Sequence, residues 1–292
     1  MPLGTLLALL SLARPINVLM ACASVYVGAF LASGEWSAPW GTVVAVGATL
    51  AAANVDNDLQ DVVADGINHP HRPLVRAQVA LQSAALWRGS LTVGALLAAV
   101  GAGLQPTIVT GAVLLLLAVY NRQLKHVPLG GNVAVSLAAM LAVWIAAPVD
   151  RWLQAPLVFG AGFAGLTTFL REVVKDAQDR AGDEAVRSRT LATTGSDTRV
   201  RRIAMLGLSV VWLGVVLLTV SDPGLDRLVT HDEAMLDLNA RGVVSLIVTT
   251  LLCSAVIIST LVKVRMFEWG AASRLMKVCM VVGSVFLIVR FA

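Results

Sequence analysis

Residues 203–220 run for 18 positions without a charged side chain, and residues 242–262 for 21. A helix needs about 20 such residues to cross the hydrocarbon core of a bilayer. Backbone polar groups in lipid must be satisfied within a helix or around a closed barrel, and these runs lack the period-two alternation of barrel strands. The chain therefore reads as an all-α polytopic membrane protein. Its composition agrees: 57% of the 292 residues are hydrophobic and 14% are charged, against about 25% charged in ordinary soluble domains.

Nine spans are expected, at 3–33, 40–60, 83–103, 106–121, 129–149, 153–171, 203–221, 242–262 and 275–291. Of the 22 Lys and Arg, 17 fall in or beside the loops after the second, fourth, sixth and eighth spans. Basic loops stay cytoplasmic, which predicts a cytoplasmic N-terminus. The net charge of +4 thus reports topology, and no soluble domain is left to carry a nucleic-acid site. Ala21-Cys22-Ala23 resembles a peptidase site, but no cation precedes Arg14 and the apolar run continues to Ala32, so no cleavage is expected. Cys22, Cys253 and Cys279 stand singly inside spans and read as small packing residues. The loop 222–241 has room for a short amphipathic helix at the membrane surface.

Against this apolar background, residues 54–74 (NVDNDLQDVVADGINHPHRPL) hold Asp56, Asp58, Asp61 and Asp65. A second acidic stretch, residues 171–191, holds Asp176, Asp179 and Asp183. Asp58, Asp61 and Asp65 stand at offsets 0, 3 and 7, and so do Asp176, Asp179 and Asp183. At 100° per residue these offsets fall within roughly 60° on a helix, so each triad forms one acidic stripe of about two turns. Both stripes end an even-numbered span and face the same side. One such cluster reads equally well as a solvated helix end; two with matching offsets point to function, because carboxylates near hydrocarbon are costly. The match also allows a parallel internal repeat within one domain spanning 1–292, with halves of about 1–125 and 126–292.

Like-charged rows on one side of a small bundle repel unless something positive lies between them. Oxygen donors without His or Cys favour a hard ion, Mg²⁺ above all. Two facing carboxylate rows resemble a clamp for a Mg²⁺–diphosphate unit. Arg72, Lys125, Lys175 and Arg189 lie near the rows in sequence and are candidate phosphate partners.

Asn57-Asp58-Leu59-Gln60-Asp61-Val62-Val63-Ala64-Asp65 resembles the NDxxDxxxD motif of the UbiA superfamily of intramembrane prenyltransferases. Residues 67–74 (INHPHRPL) resemble the segment that follows it, and residues 171–183 (REVVKDAQDRAGD) resemble the family's second motif. Tyr120-Asn121, Leu124-Lys125 and Gly130-Gly131-Asn132 are similar to a segment between the two, and Arg14-Pro15-Ile16-Asn17 to its first-helix RPxN. The chain departs at Val75-Arg76-Ala77, where a Pro-Ser-Gly-like turn is usual, and at Ala192, where Pro is common.

The resemblance implies nine helices around a central cavity open towards lipid, with a cytoplasmic polar cap. It implies Mg²⁺ held by Asn57, Asp61 and Asp65, with Asp58 joining or orienting them, and by Asp176, Asp179 and Asp183. Asp61, Asp65, Asp179, Asp183 and Lys125 would be catalytic. Asn17, Arg72, Tyr120, Lys175, Arg189 and Asn132 would contact substrate. Tyr120 reads as a face for an allylic cation or as ordinary packing; Asn17, Asn121 and Asn132 as cavity lining or interhelical hydrogen-bonding groups. The partners would be an isoprenoid diphosphate, a lipid-soluble acceptor and membrane lipid, with no nucleic acid and oligomeric state open. The second motif most resembles the branch that adds a second geranylgeranyl chain to geranylgeranylglyceryl phosphate through an ether link. Arg187, Arg189, Arg199, Arg201 and Arg202 would then meet the acceptor phosphate or merely obey topology. An aromatic acceptor and, in a different class, a secondary transporter are the rival readings.

Overall fold

The structure is a computed structural model that describes residues 3–222 and 236–291, with side chains left out of account at 236–241. Among the described residues all regular structure is helical. The described α-helices are, in chain order, α1 Leu3–Leu12, α2 Pro15–Ser33, α3 Trp40–Gln60, α4 Val62–Asn68, α5 Leu81–Ala102, α6 Leu104–Arg122, α7 Gly130–Trp144, α8 Ala155–Gln178, α9 Arg180–Ala185, α10 Leu191–Thr194, α11 Asp197–Val220, α12 Leu236–Arg265 and α13 Trp269–Phe291. Helices α1 and α2 together cover the first expected segment, and α3, α5, α6, α7, α8, α11, α12 and α13 overlap the later ones. Seven are long and apolar enough to cross a membrane: α2, α5, α6, α8, α11, α12 from Gly242, and α13. The protein is an integral membrane protein. The surface helix expected within 222–241 falls mainly on 223–235, outside the described residues.

The first expected span, 3–33, is two helices. Arg14 takes a left-handed backbone conformation (φ 54°) and Pro15 opens α2, because the proline ring disfavours a helical residue before it. The freed carbonyl of Ala13 accepts a hydrogen bond from Asn54 Nδ2 at 2.9 Å. The fifth span is also shorter than expected and ends at Trp144. The turn beyond it is held from both sides: Gln105 Nε2 donates to the Ala147 carbonyl at 2.7 Å, and Trp152 Nε1 donates to the same oxygen at 2.9 Å.

Six helices form an inner ring. Going round, α2 packs on α3, α3 on α6, α6 on α7, α7 on α8, α8 on α13, and α13 on α2; α7 also touches α2 across the ring. Helices α5, α11 and α12 pack outside, α5 along α3 and α12 along α13. Leu170, Leu208, Ile257 and Met276 fasten α8, α11, α12 and α13 into one apolar cluster. In lipid such contacts gain from close packing rather than from escape from water. Gly28 shows how close: a Cβ there would lie 1.8 Å from the Val143 carbonyl oxygen, so only glycine lets α2 and α7 meet at that height.

Candidate active site

The inner ring encloses a cavity of about 740 Å³. Its walls are apolar along most of their length, and Arg14, Asn17, Asn57, Tyr120, Glu172 and Lys175 gather at one end. That end is where both aspartate rows lie. Each row is broken at its middle acid rather than carried on one continuous helix. Asp61 sits between α3 and α4 at φ −97°, ψ 12°, and Asp179 between α8 and α9 at φ −94°, ψ 6°. The chain resumes helical bonding at once, since Asp65 N donates to Asp61 O at 2.7 Å and Asp183 N to Asp179 O at 3.2 Å. The expected uninterrupted stripe is thus a bent one, with the same bend in both rows.

The bends bring the rows together. Helix α4 packs on α9. Asn68 joins them: its Nδ2 donates to the Asp179 carbonyl at 2.7 Å, and its Oδ1 accepts from Gly182 N at 3.0 Å. His69 Nε2 lies 3.1 Å from Asp179 Oδ1. The short 3₁₀ turn Leu124–His126 is pinned to both rows' surroundings, Lys125 Nζ to Asp61 Oδ1 at 2.5 Å and His126 Nδ1 to Ser188 Oγ at 3.0 Å.

Most of these carboxylates have a partner. Asp58 is buried between Arg14 and Arg72, and Arg72 also pairs with Asp65. Asn57 donates to Asp61. Asn132 Nδ2 donates to Asp176 Oδ2 at 3.0 Å, and Lys175 lies 3.6 Å from Asp179. Asp56 belongs to a different network: it accepts from Arg88, Gln60 and Asn121, away from α9. For the acids at the cap, burial pushes Asp183 up to about 6, reinforced by Asp179 and Asp61 and opposed by Lys175 and Lys125. Burial also raises Asp65, with Arg72 working against it. At Asp179 burial pulls upward too, but the His69 hydrogen bond and the Lys175 charge outweigh it and leave the carboxyl below its usual range.

The donors are of one chemical kind: carboxylate and amide oxygens, the set a hard divalent cation takes. They are not gathered into a ready cage; among the described residues no group of three or more acidic, His or Cys side chains is set to hold a metal. Lys125 and Arg72 occupy the places beside Asp61 and Asp65. A bound cation would have to share those oxygens or displace the ammonium and guanidinium groups. Asn57, Asp61 and Asp65 on one side and Asp176, Asp179 and Asp183 on the other fit such a role by donor chemistry.

The other expected residues divide. Asn17, Tyr120 and Lys175 line the cavity, and Asn132 lines a small recess that shares Tyr120 and Glu172 with it. Arg189 is exposed on the cap and lines neither. Arg187, Arg199 and Arg202 are likewise exposed, and Arg201 stacks over the Phe267 ring at 4.8 Å. Sequence reasoning passed over Glu172, Arg171 and Lys277, which face the cavity, and Asn68 and His69, which tie the rows. A signal existed for Lys277, a cation two turns inside an apolar helix, one turn deeper than Arg274.

The model of the UbiA prenyltransferase family matches residues 21–225. Digeranylgeranylglyceryl phosphate synthase of Halobacterium salinarum is 42% identical over 190 residues, covering 63% of this chain and 67% of that protein. The synthase of the same name from Methanopyrus kandleri is 32% identical over 280 residues, covering 94% and 96%. Among solved structures, a UbiA homologue from Aeropyrum pernix superposes with a TM-score of 0.65 at 14% identity, over 93% of this chain and 97% of that one. A UbiA homologue from Archaeoglobus fulgidus bound to GPP and Mg²⁺ superposes with a TM-score of 0.52 at 13% identity, over 97% and 99%. These structural likenesses establish the fold.

Proposed function

This chain belongs to the UbiA prenyltransferase family and is a membrane-embedded prenyltransferase, and from that premise we propose that it transfers a geranylgeranyl group from its diphosphate to geranylgeranylglyceryl phosphate with Mg²⁺ as cofactor. The acceptor follows the relatives' name, digeranylgeranylglyceryl phosphate synthase. Magnesium and an isoprenoid diphosphate follow the ligands of the Archaeoglobus homologue and the oxygen-only donor set. The observation that carries the reading is the contact of α4 with α9, which brings two aspartate rows to the polar end of an apolar cavity.

In the proposed step the bond between the prenyl C1 and the diphosphate oxygen breaks, and its electron pair leaves with the diphosphate. The acceptor hydroxyl oxygen forms the new ether bond, and its proton passes to the departing diphosphate. Mg²⁺, held by Asn57, Asp61 and Asp65 and by Asp176, Asp179 and Asp183, with Asp58 orienting the first set, would supply Lewis-acid stabilisation of the leaving group. Lys125, Arg72 and Lys175 donate to diphosphate oxygens; Arg189 serves as an outer cation at the cap. Tyr120 turns its ring towards the allylic carbon. The apolar walls take the prenyl tail and keep water from the cation. Asn17 and Asn132 hold neighbouring side chains in place. The cap faces the cytoplasm, and residues 1–292 form one domain whose halves, about 1–125 and 126–292, descend from a repeat.

Purified protein given geranylgeranyl diphosphate and Mg²⁺ should prenylate the glyceryl phosphate lipid. Product with an aromatic acid alone would overturn the acceptor assignment. Asp61→Asn and Asp179→Asn should each remove turnover while leaving the thermal midpoint in place; near-normal rates in both would dismiss the metal clamp.

A further inference from the structure

Four cations line the cavity: Arg14, Arg171, Lys175 and Lys277. Glu172 is the one carboxylate among the described lining residues. Lys277 lies within electrostatic range of the other three cations. A cavity with walls this apolar would not hold an excess of positive charge without an anion to receive it. The proposed diphosphate accounts for only part of the excess. Arg14 is tied to Asp58, and Lys175 to Asp179, so both belong to the aspartate rows. Arg171 and Lys277 have no recorded contact with either row.

Their own contacts leave capacity free. Arg171 Nη1 gives one bond to Glu172 at 2.5 Å, but its Nε is buried with no partner. A guanidinium N–H left unpaired at such depth is costly. Lys277 Nζ has a neutral partner, the Asn17 Oδ1 at 3.0 Å, and no ion pair is recorded for it among the described residues. Helices α8 and α13 pack against each other, and the two cations they carry both line the cavity and interact electrostatically.

We propose that Arg171 and Lys277, with Asn17 holding the lysine, form a second anion subsite in this cavity, which receives the phosphomonoester of the lipid acceptor. This rests on the acceptor reading given above and adds the residues that select it. The subsite makes the preference for a phosphorylated acceptor a property of α8 and α13, not of the exposed cap arginines. The Arg171 guanidinium, through an N–H that reaches the cavity, and one Lys277 N–H would donate to phosphate oxygens as charge-assisted bonds. Glu172 would keep the Arg171 plane turned into the cavity.

The test is steady-state kinetics on the full chain in lipid nanodiscs, with geranylgeranylglyceryl phosphate and its dephosphorylated alcohol as acceptors. Lys277→Met should raise the KM for the phosphorylated lipid roughly ten- to hundred-fold, the loss of one or two charge-assisted hydrogen bonds. The KM for geranylgeranyl diphosphate should stay unchanged, and Lys277→Arg should restore most of the loss. Glycerol 1-phosphate should compete with the acceptor in the parent protein and not in Lys277→Met. An unchanged acceptor KM in Lys277→Met, with its thermal midpoint intact, overturns the subsite while the acceptor reading stands; so does an equal rise in both KM values. A parent protein that never prenylates the phosphorylated lipid overturns both.

Discussion

At the scale of single residues, the cap is a set of carboxylates under tension between burial and nearby cations. Asp183 is the clearest case. It has no recorded side-chain partner among the described residues, and burial lifts its carboxyl to about 6. Above that pH it is an anion waiting for a cation; below it the proton takes the cation's place. Because a metal needs the deprotonated form, metal binding releases the proton, and affinity should fall as pH drops through about 6. Titrating Mg²⁺ against the protein by calorimetry from pH 8 to 5 should show this weakening, and Asp183→Asn should flatten the profile. A pH-independent affinity in the parent chain would exclude Asp183 as a ligand. The offsets 0, 3 and 7 made the acids legible in the sequence. They did not show which cation serves which acid, because Arg14–Asp58 and Lys125–Asp61 pair residues 44 and 64 positions apart. Nor did they separate Asp56 from its neighbours: only the fold turns it to Arg88 and Asn121.

At the scale of elements, the unit that makes the site is the bent helix end. Long apolar helices were legible because lipid forces apolar runs of a fixed length. The bends were not, since neither Gly nor Pro stands at Asp61 or Asp179 and nothing local marks a break. They go with tertiary contacts, Lys125 on Asp61 and Asn68 and His69 on Asp179. That the same bend recurs at the same offset supports the proposed repeat. The seam between α4 and α9 depends on Gly182, where a Cβ would stand 2.3 Å from Asn68 Nδ2 and 2.6 Å from the Ala64 carbonyl oxygen. The amide could swing aside, but the carbonyl belongs to α4 and could move only with the helix. Gly182→Val should therefore push the rows apart and cut turnover at least a hundred-fold. The bundle should barely feel it, with a cost within the roughly 1–3 kcal/mol typical of overpacking. Activity and thermal melting measured side by side decide the matter; a fully active Gly182→Val would mean the rows need not touch.

At the scale of the whole molecule, one end of the bundle carries the chemistry and most of the exposed positive charge. Arg76, Arg122, Arg187, Arg189, Arg199 and Arg202 are exposed around the cap. Among the described residues, the cations at the other end are occupied: Arg151 Nη1 donates to the Ala32 carbonyl at 2.8 Å, and Arg290 pairs with Asp222 at 3.1 Å. Hydropathy made the spans countable but could not order them in space, so the six-helix ring and its cavity came only with the fold. The charge asymmetry makes a prediction about orientation, because basic loops are retained on the cytoplasmic side. Single cysteines can read it in a background where Cys22, Cys253 and Cys279 are replaced by serine or alanine. Gln78→Cys lies in the exposed loop between α4 and α5 at the cap, and Ser37→Cys in the exposed loop between α2 and α3 at the far end. In intact cells a membrane-impermeant maleimide should label Ser37→Cys at once and Gln78→Cys only after the membrane is opened. The reverse pattern would place the site on the outer face, where the diphosphate would have to be delivered across the bilayer, and the proposed cytoplasmic cap would fall.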